Sequence, residues 1–237
     1  MGASTDDIFG ATPTAELATP GSYGEAPSGY RLPMETRLGA VHLQVADLAR
    51  SLEYYEQVLG LQVISREAEV VELGALDDPR PLVVLHGRRG ARPAARRGQL
   101  GLFHFAILLP DRPSLGAFVR HLGEIDVQAG AGDHLVSEAF YLSDPDGLGI
   151  EVYADRPRDS WRRVGRQLMM ATDPVDTADL VDAARNTPWR GMPSGTVMGH
   201  VHLHVGNIAD AAEFFSEALG LDRVVWSYPG ALFLAAG

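Results

Sequence analysis

The chain has 237 residues, 46% of them apolar, with a formal net charge of −11. That apolar content buries one large core or two modest ones and excludes a disordered chain. The charge excludes bulk attraction to nucleic acid or an anionic membrane, and the absence of cysteine excludes disulfides, thiolate metal sites and cysteine nucleophiles.

Residues 1–37 are rich in Gly, Pro, Ser, Thr and Ala and lack both a basic start and an apolar core of the secretory kind. They predict a flexible, loosely packed tail. No run reaches the ~18 apolar residues of a spanning helix, so a soluble, cytoplasmic protein is expected.

The next segment repeats later in the chain. GAVHLQVADLARSLEYYEQVLGL (39–61) lies over GHVHLHVGNIADAAEFFSEALGL (199–221) without a gap. Each copy opens with period-two alternation, Val41-Leu43-Val45 on one side, which predicts a strand. Asp47 or Asn207 then supplies an N-cap. Leu48, Leu52, Tyr55 and Leu59, and likewise Ile208, Ala212, Phe215 and Leu219, form an apolar helical stripe. Tyr54, Tyr55, Phe214 and Phe215 are expected in the core, and Gly60 and Gly220 supply the left-handed stop. Strands at Leu61–Ser65, Val70–Leu73 and Pro81–His86 complete a β-α-β-β-β unit. Arg88, Arg89, Arg92, Arg96 and Arg97, set among Gly, Ala and Pro, read as a solvated loop.

A second unit opens with a strand over Leu102–Leu109, passes through Asp111-Arg112-Pro113 into a helix of about ten residues, and closes with EAFYLSDPDGLGIEVYADRP. Asp144, Pro145, Asp146 and Gly147 suit a tight turn between its last two strands and receive no catalytic role. His134 reads as a turn histidine. TDPVDTADLVDAARNTPWRGMPSGT is a connector with a short helix near Asp176–Ala184, and a third unit begins near 197. The fold class is α+β. Residues 38–157 are expected to pair two units into an N-terminal domain, 158–196 to connect, and 197–237 to start an incomplete C-terminal domain.

His200, His202 and His204 alternate along the strand of the third unit, so all three point to one face. His202 recurs as His42 in the first unit and reads as structural, whereas His200 faces Ala40 and His204 faces Gln44.

The phrases VHLQVADLARSLEYYEQVLGL, SDPDGLGIEVY and MGHVHLHV, spread over nearly everything from Leu38 onward, resemble the vicinal oxygen chelate superfamily (glyoxalase, bleomycin resistance, extradiol dioxygenase), and within it the catechol 2,3-dioxygenases. That resemblance implies Fe(II), alternatively Mn(II), held by two histidines and a carboxylate, with O2 as co-substrate. A small aromatic diol is then cleaved beside its hydroxyls. The resemblance makes His200 the first metal ligand. His204 becomes a residue behind the ligands or facing substrate. His104 and Glu151 become a vestigial pair whose first ligand is replaced by Ala40. The chain ends at WSYPGALFLAAG, before the fourth unit that in the family brings the remaining ligands and the acid/base residue. A truncated, impaired enzyme is therefore expected, with a homo-oligomer left open. Two other readings stand beside it. One is a metal-free module sequestering small molecules. The other is a glyoxalase-like lyase or isomerase, whose sign would be a complete His/Glu set shared between units.

Overall fold

The computed structural model describes residues 2–10, 14–92 and 99–236, which leaves Arg96 and Arg97 of the basic run outside the described residues. A short helix α1 (Thr5–Phe9) and strand β1 (Glu16–Leu17) precede the first unit, which comprises β2 (Val41–Val45), α2 (Leu48–Gln57), β3 (Gln62–Glu67), β4 (Val70–Gly74) and β5 (Pro81–Gly87). The second comprises β6 (Gly101–Leu108), α3 (Arg112–Glu124), β7 (Gly130–Asp133), β8 (Ser137–Ser143) and β9 (Gly149–Asp155). The connector carries β10 (Arg162–Val164), β11 (Gln167–Leu168) and α4 (Thr177–Ala183). The third contributes β12 (Val197–His204), α5 (Ile208–Ala212) running into a π-helical stretch over Glu213–Ala218, then β13 (Asp222–Val225) and β14 (Phe233–Ala235).

Local chemistry explains the boundaries. Asp47, Asp111, Asp176 and Asn207 each accept a hydrogen bond from a free amide in the first turn of the helix they precede. Gly60 and Gly220 sit at φ +68° and +94°, the left-handed region where a Cβ costs energy. Asp144 accepts from the Asp146 and Leu148 amides, closing the DPDG turn, and its other oxygen accepts from the Tyr55 hydroxyl at 3.2 Å. The turn that joins two strands of the second unit is thus anchored to the first.

The sheets run β2-β5-β4-β3 in the first unit and β12-β6-β9-β8-β7 in the second. The first strands of units one and two do not pair with each other. β2 stays at a sheet edge, and β6 takes β12 of the third unit as its antiparallel neighbour. The units share a core nonetheless, since Leu43, Tyr55 and Leu85 of the first pack into one cluster with Phe105, Phe118 and Ile150 of the second. Period-two patterning sets which face of a strand is buried and leaves its edge partner open.

The tail differs from its expectation. Ala18 is buried with Trp161, Leu168 and Val225, Arg31 pairs with Asp222, and the Leu32 amide donates to the Gly220 carbonyl at 2.8 Å. The reason lies in the third unit, whose β13 and β14 form a separate two-stranded sheet that the tail extends through the Glu25–Arg223 bridge and that the tail and connector cover. The predicted helical stripe of that unit is also less buried than its counterpart. Tyr55 is fully buried, whereas Phe214 is 59% exposed and Ile208 and Leu219 are exposed as well. Phe214 is therefore not a core residue among the described contacts.

Candidate metal centre

Cross-strand register builds the site. On one face of the larger sheet, Tyr141 of β8 lies opposite Glu151 of β9, Glu151 opposite Ala106 of β6, and Ala106 opposite His200 of β12. His104, two residues before Ala106, shares that face and lies opposite His202. Directly opposed strand residues stand ~5 Å apart at Cβ, so the long side chains of Glu151 and His200 lean toward each other over the Ala106 methyl. Their tips meet there. His200 Nε2 is 3.1 Å from Glu151 Oε2, His104 Nε2 is 3.0 Å from the same oxygen, and the two imidazole nitrogens are 3.4 Å apart.

Two glycines permit this. A Cβ on Gly199 would overlap the Tyr153 hydroxyl, whose ring stands 5.2 Å from that of His200. A Cβ on Gly149 would come within 2.8 Å of the His104 Cβ. Both positions need close approach rather than an unusual φ.

Burial pushes the Glu151 carboxyl up, but the hydrogen bonds from His104 and His200 outweigh it and leave the group well below the usual carboxylate range. Glu151 is therefore a buried anion beside two ring nitrogens. His202, desolvated and surrounded by the other imidazoles, is pushed down to about 4. Burial, then the Glu151 charge and hydrogen bond, push the Tyr141 phenol well up, so it stays protonated. Its hydroxyl lies 2.6 Å from His134 Nε2, and His134 Nδ1 lies 2.7 Å from the Ala171 carbonyl. A carbonyl only accepts, so Nδ1 carries a hydrogen, and the single hydroxyl hydrogen of Tyr141 lies between Nε2 and the Glu151 carboxylate.

The donor set fits a divalent transition ion. With bonds of ~2.1 Å, donors at right angles stand ~3.0 Å apart and tetrahedral ones ~3.4 Å. The observed edges of 3.0, 3.1 and 3.4 Å span that interval. Two histidines and one carboxylate on one side of an ion are the facial set of non-haem iron oxygenases.

His200, the ligand expected from the sequence, is thus brought to His104 and Glu151, the pair read as vestigial. The position expected for their third partner holds Ala40, and in the structure it is His200 of the third unit that stands within reach of both. His204 stacks on Phe103 at 4.2 Å. Ala106, Tyr141 and Tyr153 were not singled out by the sequence. The DPDG turn was the available signal, because it sets the β8–β9 register and so places Tyr141 opposite Glu151.

Fold, site and similarity agree on the class: the chain belongs to the family described as the Glyoxalase/Bleomycin resistance protein/Dioxygenase superfamily, whose pattern matches residues 37–152. The chain is 43% identical over 206 residues to the Catechol-2,3-dioxygenase of Bacillus subtilis (strain 168), a match covering 86% of this chain and 72% of that protein. Among solved structures, a glyoxalase/dioxygenase from Nostoc punctiforme matches 51% of this chain and 92% of its own, with 19% identity and a TM-score of 0.43. The cppA protein from Streptococcus pneumoniae TIGR4 matches 72% of this chain and 63% of its own, with 13% identity and a TM-score of 0.49. No helix among the described residues is long and apolar enough to cross a membrane.

Proposed function

We propose that this chain is an extradiol ring-cleaving dioxygenase for catechol-type diols, using Fe(II), alternatively Mn(II), and O2. The observation that carries the reading is the convergence of His104, Glu151 and His200, whose ligand atoms all lie within 4.8 Å of one another. The 43% identity to a catechol-2,3-dioxygenase supports the choice of reaction. A ligand set shared between units is also what a glyoxalase-like lyase would use, and the identity to that relative ranks ring cleavage first.

His104, Glu151 and His200 would hold the ion, which supplies a Lewis acid and electron conduit for a diol and O2 bound side by side. Glu151 contributes the one negative charge of the set. Ala106 leaves the floor low, so that Glu151 and His200 reach over it. Tyr141 keeps a proton between His134 Nε2 and the Glu151 carboxylate, and the Ala171 carbonyl holds a hydrogen at His134 Nδ1. These residues hold a proton at the Tyr141 oxygen next to the reacting centre.

The test is oxygen uptake and appearance of the ring-cleaved semialdehyde when the Fe(II)-reconstituted protein meets catechol, beside His200→Ala and Glu151→Gln. Activity in the parent and its loss, with loss of bound iron, in both variants is expected. Equal turnover by His200→Ala, or turnover of a glutathione hemithioacetal in place of catechol, refutes the reading.

A further inference from the structure

We propose that Phe103 and His204, stacked on each other, form an aromatic wall against which the ring of the diol packs at the metal centre, Phe103 being turned to that face by a bulge in β6. This rests on the ring-cleavage reading and adds to it a residue pair that sets ring affinity.

The bulge is visible in the register. His202 pairs with His104, but the next residue, Leu203, pairs with Leu102, so Phe103 is an extra residue without an opposite number. In a regular strand, alternation would send Phe103 to the same side as Phe105 and Ile107, which are fully buried in the core. The extra residue breaks that alternation, and bulges next to sites are a known way to re-aim one side chain. Its ring lies 5.5 Å from that of His104, 5.0 Å from that of His202 and 4.2 Å from that of His204, the last nearly parallel at 19°. All three imidazoles belong to the face that carries the triad.

Exposure points the same way. Phe103 is 43% exposed, although burial two residues on is complete at Phe105. Among the triad, the side chains of His104 and Glu151 are 9% and 4% exposed, whereas that of His200 is 42% exposed. The open approach to the ligand atoms is thus over β12, on the side where Phe103 and His204 stand. Phe103 and His204 already stack on each other, so a planar ring with both oxygens directed at the centre would meet the free outer face of that pair, and offset stacking favours such a ring over an aliphatic diol.

The experiment uses the metal-loaded full chain, with 4-nitrocatechol followed by its absorbance under anaerobic conditions and catechol turnover measured in parallel. For Phe103→Ala and for His204→Ala, binding of 4-nitrocatechol should weaken and KM for catechol rise about two- to ten-fold. The kcat and bound metal should stay near the parent values. Phe103→Leu keeps bulk without the aromatic face and should show the same weakening, which covers the case that the alanine variant fails to fold. Unchanged 4-nitrocatechol binding in folded, metal-loaded Phe103 variants overturns the wall, as does a loss of affinity that only tracks loss of metal, which would make Phe103 a mere support for His104. A parent that binds 4-nitrocatechol in a Phe103-dependent way without cleaving catechol overturns the ring-cleavage reading and leaves the wall standing.

Discussion

Ala106→Leu tests the construction of the site more sharply than removing a ligand does. The Ala106 methyl is fully buried and lies between Glu151 and His200 in the cross-strand row. With ~5 Å between neighbours, the two outer Cβ atoms stand roughly 10 Å apart, yet their tips approach to 3.1 Å above residue 106. Leucine adds three carbons in that span. Overpacking of this kind costs about 1–3 kcal/mol, which for a chain of this size lowers Tm by roughly 2–12 °C. The larger effect is on the metal, since a leucine there drives Glu151 and His200 apart and a displaced ligand should weaken affinity at least ~100-fold. The assay is titration of apo protein with Mn(II) or Fe(II), beside thermal denaturation. Ala139→Leu is the control, because Ala139 is equally buried on the same face but lies opposite Tyr153, two strands further from His200 than Ala106. Wild-type metal affinity in Ala106→Leu, or equal loss in both variants, would refute the reasoning.

Three further outcomes follow from the same geometry. Gly199→Ala should cost about 1–3 kcal/mol and bound metal together, and Tyr153→Phe should restore only part of it, because ring carbons stand 2.7 and 2.8 Å from the added Cβ; full rescue in calorimetry contradicts this. Glu138 is buried between Arg112 at 2.5 Å and Arg156 at 3.4 Å, so Glu138→Ala should destabilise by about 3 kcal/mol, and a change in denaturant midpoint equivalent to less than about 1 kcal/mol would count against it. Burial leads the causes that hold the Asp144 carboxyl above its usual range. The native state then binds that proton more tightly than the unfolded chain, so this group's cost is present at neutral pH and relieved as pH falls through its raised folded value. The stability of Asp144→Asn relative to the parent should therefore decline from pH 7 toward pH 4, and melting curves with a constant difference would exclude it.

Much of the architecture was legible because its causes are local. The N-caps at Asp47 and Asn207, the glycine stops at 60 and 220 and the DPDG turn each depend on a few neighbouring residues, and each appears where the pattern put it. The bulge that turns Phe103 outward was not legible, since FHFAIL reads as unbroken alternation and only the partner strand reveals the extra residue. The packing of the tail was missed for a similar reason: its Gly- and Pro-rich composition says nothing about the surface of the third unit that it covers.

By itself the sequence determined the repeated β-α-β-β-β units and the ban on thiolate chemistry, and its family resemblance marked His200, His104 and Glu151 as the residues worth weighing. What only the tertiary structure decided is that these three belong together, because β6 takes β12 and not β2 as its edge partner. Side-chain alternation is written into a strand and survives in any fold, whereas a strand's edge offers the same amides and carbonyls to every candidate neighbour. The choice among neighbours is made by the packing of whole units.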